Sequence, residues 1–162
     1  MRNLILSGLS AATAALALAA AAPAAAAENR VVTCDTWKAR AYGDSAGPAL
    51  VANVASSMTP IDLNAVQFTD RKLGRRIIVE GVQAVRNPNQ GLKVFVRLVN
   101  CKSQPITVQL RTNFLDGNQM PTEQPSAWRT VFLSPRATAG YEENSIAGPK
   151  VGAFYVELRP NL

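Results

Sequence analysis

The chain reads as a single all-β sandwich, and three features of its 162 residues predict this. Short runs rich in Val, Ile, Phe and Thr alternate apolar and polar residues with period two. Clusters of Gly, Pro and Asn separate those runs. Beyond the alanine-rich N-terminus, no stretch carries strong helical spacing. The best-defined stretch is residues 91–116. In its first run Leu92, Val94, Val96 and Leu98 share one side of the ladder, with Lys93, Phe95, Arg97 and Val99 on the other. In its second run Ile106, Val108 and Leu110 alternate with Thr107, Gln109 and Arg111. Asn100 to Pro105 supply turn chemistry between them, with Pro105 opening the second strand. The two runs are expected to form an antiparallel pair, each strand central.

The other elements follow in chain order. Residues 1–27 carry Arg2, an apolar run from Leu4, and Ala25-Ala26-Ala27 before Glu28, the layout of a cleaved secretory signal peptide. A retained signal anchor in the inner membrane is the competing expectation, weakened by the low hydrophobicity of alanine. Residues 28–60 read as a partly irregular extension. Tyr42 to Pro48 are turn-forming, residues 50–55 are a short strand or helical turn, and Pro60 ends it. The sandwich domain is expected over 61–162. It opens with a strand on which Ile61, Leu63 and Ala65 alternate with Asp62, Asn64 and Val66. Residues 69–76 form a polar, basic loop. Residues 77–86 form a strand in which Gly81 predicts a bulge or bend. Asn87 to Gly91 is a turn, as is Asp116-Gly117-Asn118, and Pro121 and Pro125 lie in an extended polar loop. Trp128, Thr130 and Phe132 share one face of the next strand, and Arg129, Val131 and Leu133 the other. Residues 137–143 are a polar strand or loop, and residues 153–158 are the last strand, ending at Pro160.

Charge and composition bound the chemistry. The formal net charge is +6, falling to +5 once Arg2 leaves with the signal. Such an excess suits anionic partners or simply a solvated basic surface. There is no histidine, which removes the commonest general base and metal ligand. Cys34 and Cys101 are the only cysteines. In an oxidising compartment they can close one bridge; free thiols and an intermolecular bridge are the other outcomes. Two cysteines without histidine make an incomplete metal site.

Residues 91–158 resemble the YcfL-like family of small bacterial envelope proteins of unknown function. The likeness rests on the strand ending Leu98-Val99-Asn100, the polar turn, and the strand through Leu110-Arg111 into Phe114-Leu115-Asp116. It continues through Trp128-Arg129-Thr130-Val131-Phe132-Leu133 and Phe154-Tyr155-Val156-Glu157-Leu158. Phe114 stands where the family tends to have tryptophan, and Gln119 where it has glycine. Many members are lipoproteins, whereas this signal reads as that of a soluble product. The resemblance implies an immunoglobulin-like antiparallel sandwich in the periplasm. It also points toward wall metabolism, since some members are encoded beside a regulator of peptidoglycan synthesis.

No catalytic constellation, cofactor site or metal site is evident. Glu142-Glu143 are adjacent, so as strand residues they would point to opposite faces and could not converge on one substrate; a solvated acidic loop is the expectation. Trp128 and Phe132 are expected in the core, and Arg111 with Asp116 as an ion pair pinning a turn. The candidate contact for an anionic partner is the loop carrying Arg71, Lys72, Arg75 and Arg76, the densest charge cluster after the signal. It lacks the aromatic interleaving of a nucleic-acid surface, so nucleic acid is not an expected partner. A membrane span after signal cleavage is not expected either, and the oligomeric state is left open. These observations predict an exported, non-catalytic binding or accessory domain acting on another envelope protein or peptidoglycan. The alternatives are a surface-assembly component working by strand addition, and a carbohydrate-binding or cryptic enzyme domain.

Overall fold

A computed structural model of the chain describes residues 34–36, 49–50 and 58–161. The expected signal segment, the 42–48 turn and residues 51–57 lie outside the described residues. All described residues belong to one compact unit, Thr33–Leu162.

Among the described residues nine strands make two sheets. They are β1 (Ala49–Leu50), β2 (Thr59–Ile61), β3 (Val66–Phe68), β4 (Ile77–Arg86), β5 (Leu92–Asn100), β6 (Ile106–Leu115), β7 (Arg129–Leu133), β8 (Thr138–Asn144) and β9 (Ala153–Pro160). One sheet runs β1-β9-β6-β7, with β3 also against β9; the other runs β2-β4-β5-β8. The fold is therefore a β-sandwich. Its pairings are antiparallel except β3 with β9, where Val66 lies opposite Val156 and Phe68 opposite Leu158 in a parallel ladder.

The expected β5–β6 pair does not exist. Both strands are central, but in different sheets: β5 lies between β4 and β8, β6 between β9 and β7. A tight hairpin needs a short, usually glycine-bearing turn, and the segment between Asn100 and Ile106 has no glycine. It arches from one sheet to the other instead. Asn100 holds the arch from inside. Fully buried, its Nδ2 donates to the carbonyls of Gln104 (2.7 Å), Ser134 (3.1 Å) and Leu133 (3.3 Å), while its Oδ1 accepts from Lys102 N–H (2.9 Å).

The strand expected from Ile61 onward is likewise broken. Asp62 accepts a hydrogen bond from Asn64 N–H (2.9 Å) and caps a 3-10 turn, Leu63–Ala65. The capped turn carries the chain from β2 in one sheet to β3 in the other. Pro60 does not end an element but sits within β2, an edge strand where a missing N–H costs nothing. In β4 the expected bulge is present, with the register against β5 shifting between Val79 and Gly81. That shift lets Ile77 before it and Val82 and Ala84 after it all reach the core.

The core between the sheets is built on Phe114 and Phe154, with Leu92, Leu98, Leu110 and Leu158 fully enclosed around them. Each such side chain contributes roughly 1.5–3 kcal/mol by leaving water. Two polar links close the space between the sheets. Tyr141 Oη and Thr112 Oγ1 lie 3.0 Å apart, and Arg129 donates from Nε to Glu143 Oε2 at 3.0 Å.

Candidate functional site

At one end of the sandwich the β3–β4, β5–β6 and β7–β8 connections meet. The basic loop between β3 and β4 is not a floppy excursion. Leu73 is buried beneath it, Asp70 Oδ1 accepts from Lys72 N–H (2.8 Å), and residues Leu73–Arg75 form a 3-10 turn. Its root is fixed by Thr69 N–H donating to Leu158 O (2.9 Å), and its exit by Cys101 N–H donating to Arg76 O (2.8 Å). On that frame Arg71, Lys72, Arg75 and Arg76 all stand exposed. The structure brings the four together on one loop, as the sequence implied.

It also adds two cations that sequence reasoning passed over. Arg136 N–H donates to Lys102 O (3.0 Å), tying the β7–β8 turn to the β5–β6 arch beside Arg76, and both side chains are exposed. Nothing in the linear chain links Lys102 to Arg136, because the contact exists only once the arch has formed. Among the described residues, six cations therefore share this end with two nearby acids, Asp70 and Asp35. None of the six is ion-paired to a described carboxylate. Four strand cations differ: Lys93 pairs with Glu142 and Arg97 with Glu80, both at 3.0 Å; Arg129 pairs with Glu143, and Arg111 with Glu157. Charges left unpaired and held on a rigid frame are free to interact with an anion.

The disulfide belongs to the same end. Cys34 and Cys101 are bridged, with Cα atoms 5.5 Å apart. Cys101 also packs with Ile78 and Val99 in a small apolar cluster separate from the main core.

A scan against protein-family models finds no match, and no curated protein matches the chain. Among solved structures it is similar to cj0090 from Campylobacter jejuni, with a TM-score of 0.47 at 13% identity over 60% of this chain and 98% of that one. It is also similar to a DUF1425 family member from Shewanella sp. pv-4, with a TM-score of 0.48 at 11% identity over 72% of this chain and 98% of that one.

Three sequence expectations about side chains are corrected. Trp128 and Phe132 are not in the core. Register puts Val131 opposite Val108 and Leu133 opposite Ile106, so those two turn inward. Phe132 is left 61% exposed, and Trp128 lies half-buried on the outer face of the β9-β6-β7 sheet. Arg111 does not pair with Asp116. It pairs with Glu157, its neighbour in register on β9, while Asp116 Oδ1 accepts from Asn118 N–H (2.8 Å) and Met120 N–H (2.9 Å) within its own turn. Glu142 and Glu143 point to opposite faces as expected, but they belong to strand β8 rather than a solvated loop, and Glu143 is buried against Arg129.

Tyr141 is a titratable side chain that its surroundings alter. Burial raises its pKa from the ordinary value, against the lowering effect of hydrogen bonds from Ser126 and Thr112. It is enclosed between the sheets, so this is a packing feature. Among the described residues no three His, Cys, Asp or Glu side chains converge as metal ligands would. Among them, too, no helix is long and apolar enough to cross a membrane.

Proposed function

We propose that this chain is an exported, non-catalytic binding or accessory domain of the cell envelope. In this reading its cationic end engages an anionic partner, either peptidoglycan or an acidic face of another envelope protein. The observation that carries the reading is the set of unpaired cations, Arg71, Lys72, Arg75, Arg76, Lys102 and Arg136, gathered from three connections onto one rigid end. Exposed charges of this kind add little to folding, so their concentration at one end is better accounted for by association. The Cys34–Cys101 bridge supports export, since such bridges persist in oxidising compartments. The resemblance of residues 91–158 to YcfL-like envelope proteins supports the same address.

Replacing Arg71, Lys72, Arg75 and Arg76 with serine is expected to leave the thermal midpoint nearly unchanged and to weaken sedimentation with purified cell wall. Adding Lys102→Ser and Arg136→Ser is expected to weaken it further. Parent binding should fall as salt is raised, because the Debye length is only about 8 Å at physiological ionic strength. If the substituted protein co-sediments as well as the parent at low salt, wall contact through this end is wrong. Cross-linked pull-downs comparing the same two proteins then test the acidic-protein alternative.

A further inference from the structure

The outer face of the β9-β6-β7 sheet carries a second arrangement of charged and aromatic side chains. Trp128 precedes β7 and lies over this face. The guanidinium carbons of Arg159 and Arg111 sit 3.8 Å and 4.5 Å from its ring centroid. Both arginines are aligned by neighbours on the sheet. Arg159 Nε donates to Gln109 Oε1 (3.0 Å), its partner in register, and Arg111 Nε donates to Glu157. Those contacts use one nitrogen of each guanidinium. The terminal nitrogens of both have no hydrogen-bond partner among the described residues. Two positions along β6 from Arg111, Asn113 lies on the same face at 7% exposure, and its buried Nδ2 donor has no partner either. An orphaned buried donor is costly. Here it lies on the same face of the sheet as the two guanidiniums, with Arg111 two residues away along β6.

From this geometry we propose that the face is a docking site for an acidic peptide segment of a partner protein, with Arg159 and Arg111 gripping a carboxylate and Asn113 donating to a main-chain carbonyl. Guanidinium forks match a planar carboxylate through paired N–H···O bonds, and their stacking on Trp128 holds them in the required plane. Two cations against Glu157 leave one net positive charge, which a monoanionic carboxylate neutralises. A phosphate dianion would overshoot and meet Glu157. The donors are spread over the β6 positions from Gln109 to Asn113, about 13 Å at strand rise, which fits an extended peptide rather than a single small acid. Exposed Phe132, further along the same face, offers the peptide an apolar contact.

The test uses the disulfide-intact, isotope-labelled protein titrated with acetyl-Glu-Leu-Glu-amide and, separately, with acetyl-Gln-Leu-Gln-amide. The expected result is saturable shifts of the Trp128 indole N–H and the Asn113 side-chain amide with the acidic peptide and none with its neutral counterpart. Arg159→Gln is expected to weaken binding about tenfold, the loss of one charge-assisted fork. Arg159→Lys, which keeps the charge without the fork, falls between; it carries the test should Arg159→Gln fail to fold. The four-serine loop protein is expected to bind the peptide as the parent does, so failure here leaves the cationic-end reading intact, and the reverse. Equal shifts with both peptides, or parent affinity in both Arg159 variants, would overturn the proposal. Soluble wall fragments that move these resonances when the acidic peptide does not would overturn the assignment to a protein partner.

Discussion

Val131 and Leu133 enter the core because β7 registers them against Val108 and Ile106, and Phe132 between them must then face solvent. Leu133, fully enclosed, is expected to cost about 2–5 kcal/mol when cut to alanine, through lost transfer energy and the cavity left behind. Phe132→Ala is expected to cost under about 1 kcal/mol, as surface changes do. Urea melts of the two variants separate the outcomes, and the reverse order would mean that β7 is turned over. Tyr141 gives a second residue-level expectation. Burial raises its pKa above the ordinary 10.0, so the folded protein keeps a proton that the unfolded chain loses first. The contribution is fully present below pH 10.0 and declines as pH rises from there toward the folded value. Tyr141→Phe should flatten that alkaline decline in urea melts, at a cost of about 1 kcal/mol for the bond to Thr112 at neutral pH.

Among the elements, the β8–β9 connection is closely packed at Gly152. Gly152 N–H donates to Leu115 O (2.8 Å), and a Cβ on Gly152 would come within 2.7 Å of the Gly117 backbone nitrogen. The two loops touch through main chain, so neither can yield by a rotamer change. Gly152→Ala is therefore expected to destabilise by about 1–3 kcal/mol, whereas Gly140→Ala, with nothing within 4 Å of the new carbon, should lie within about 0.5 kcal/mol of the parent. Equal thermal midpoints for the two variants would show that the loops separate without cost. The β5–β6 arch follows a similar rule: four hydrogen bonds to the Asn100 side chain do the work that a tight turn does in a hairpin.

For the whole molecule, the bridge between Cys34 and Cys101 spans a sequence separation of 67. Constraining an unfolded loop of that length is worth about 4 kcal/mol in the chain-entropy model. Native protein is expected to show no titratable thiol, and reduction should lower the urea midpoint by a corresponding amount. Two free thiols in freshly prepared, unreduced protein would contradict the bridge. Because Cys101 opens the arch and its N–H donates to Arg76 O, reduction should also loosen the cationic end, so wall sedimentation is best compared in both redox states.

Period-two alternation is a local property, and it correctly marked β4, β5, β6 and β9, together with the Gly81 bulge and the turns at Asn87 and Asp116. The crowding of Arg71, Lys72, Arg75 and Arg76 was legible for the same reason, since neighbours in sequence on a loop remain neighbours in space. Alternation says which residues share a face; it does not say which face is inside or which strand lies alongside. Those were decided by pairing between distant segments. The entropy of closing a chain loop rises only slowly with its length, so nearness in sequence favoured no β5–β6 hairpin over an arch. Only that arch, held by Asn100, brings Lys102 and Arg136 to the basic loop. Only the register of β7 on β6 turns Trp128 out to meet Arg111 and Arg159.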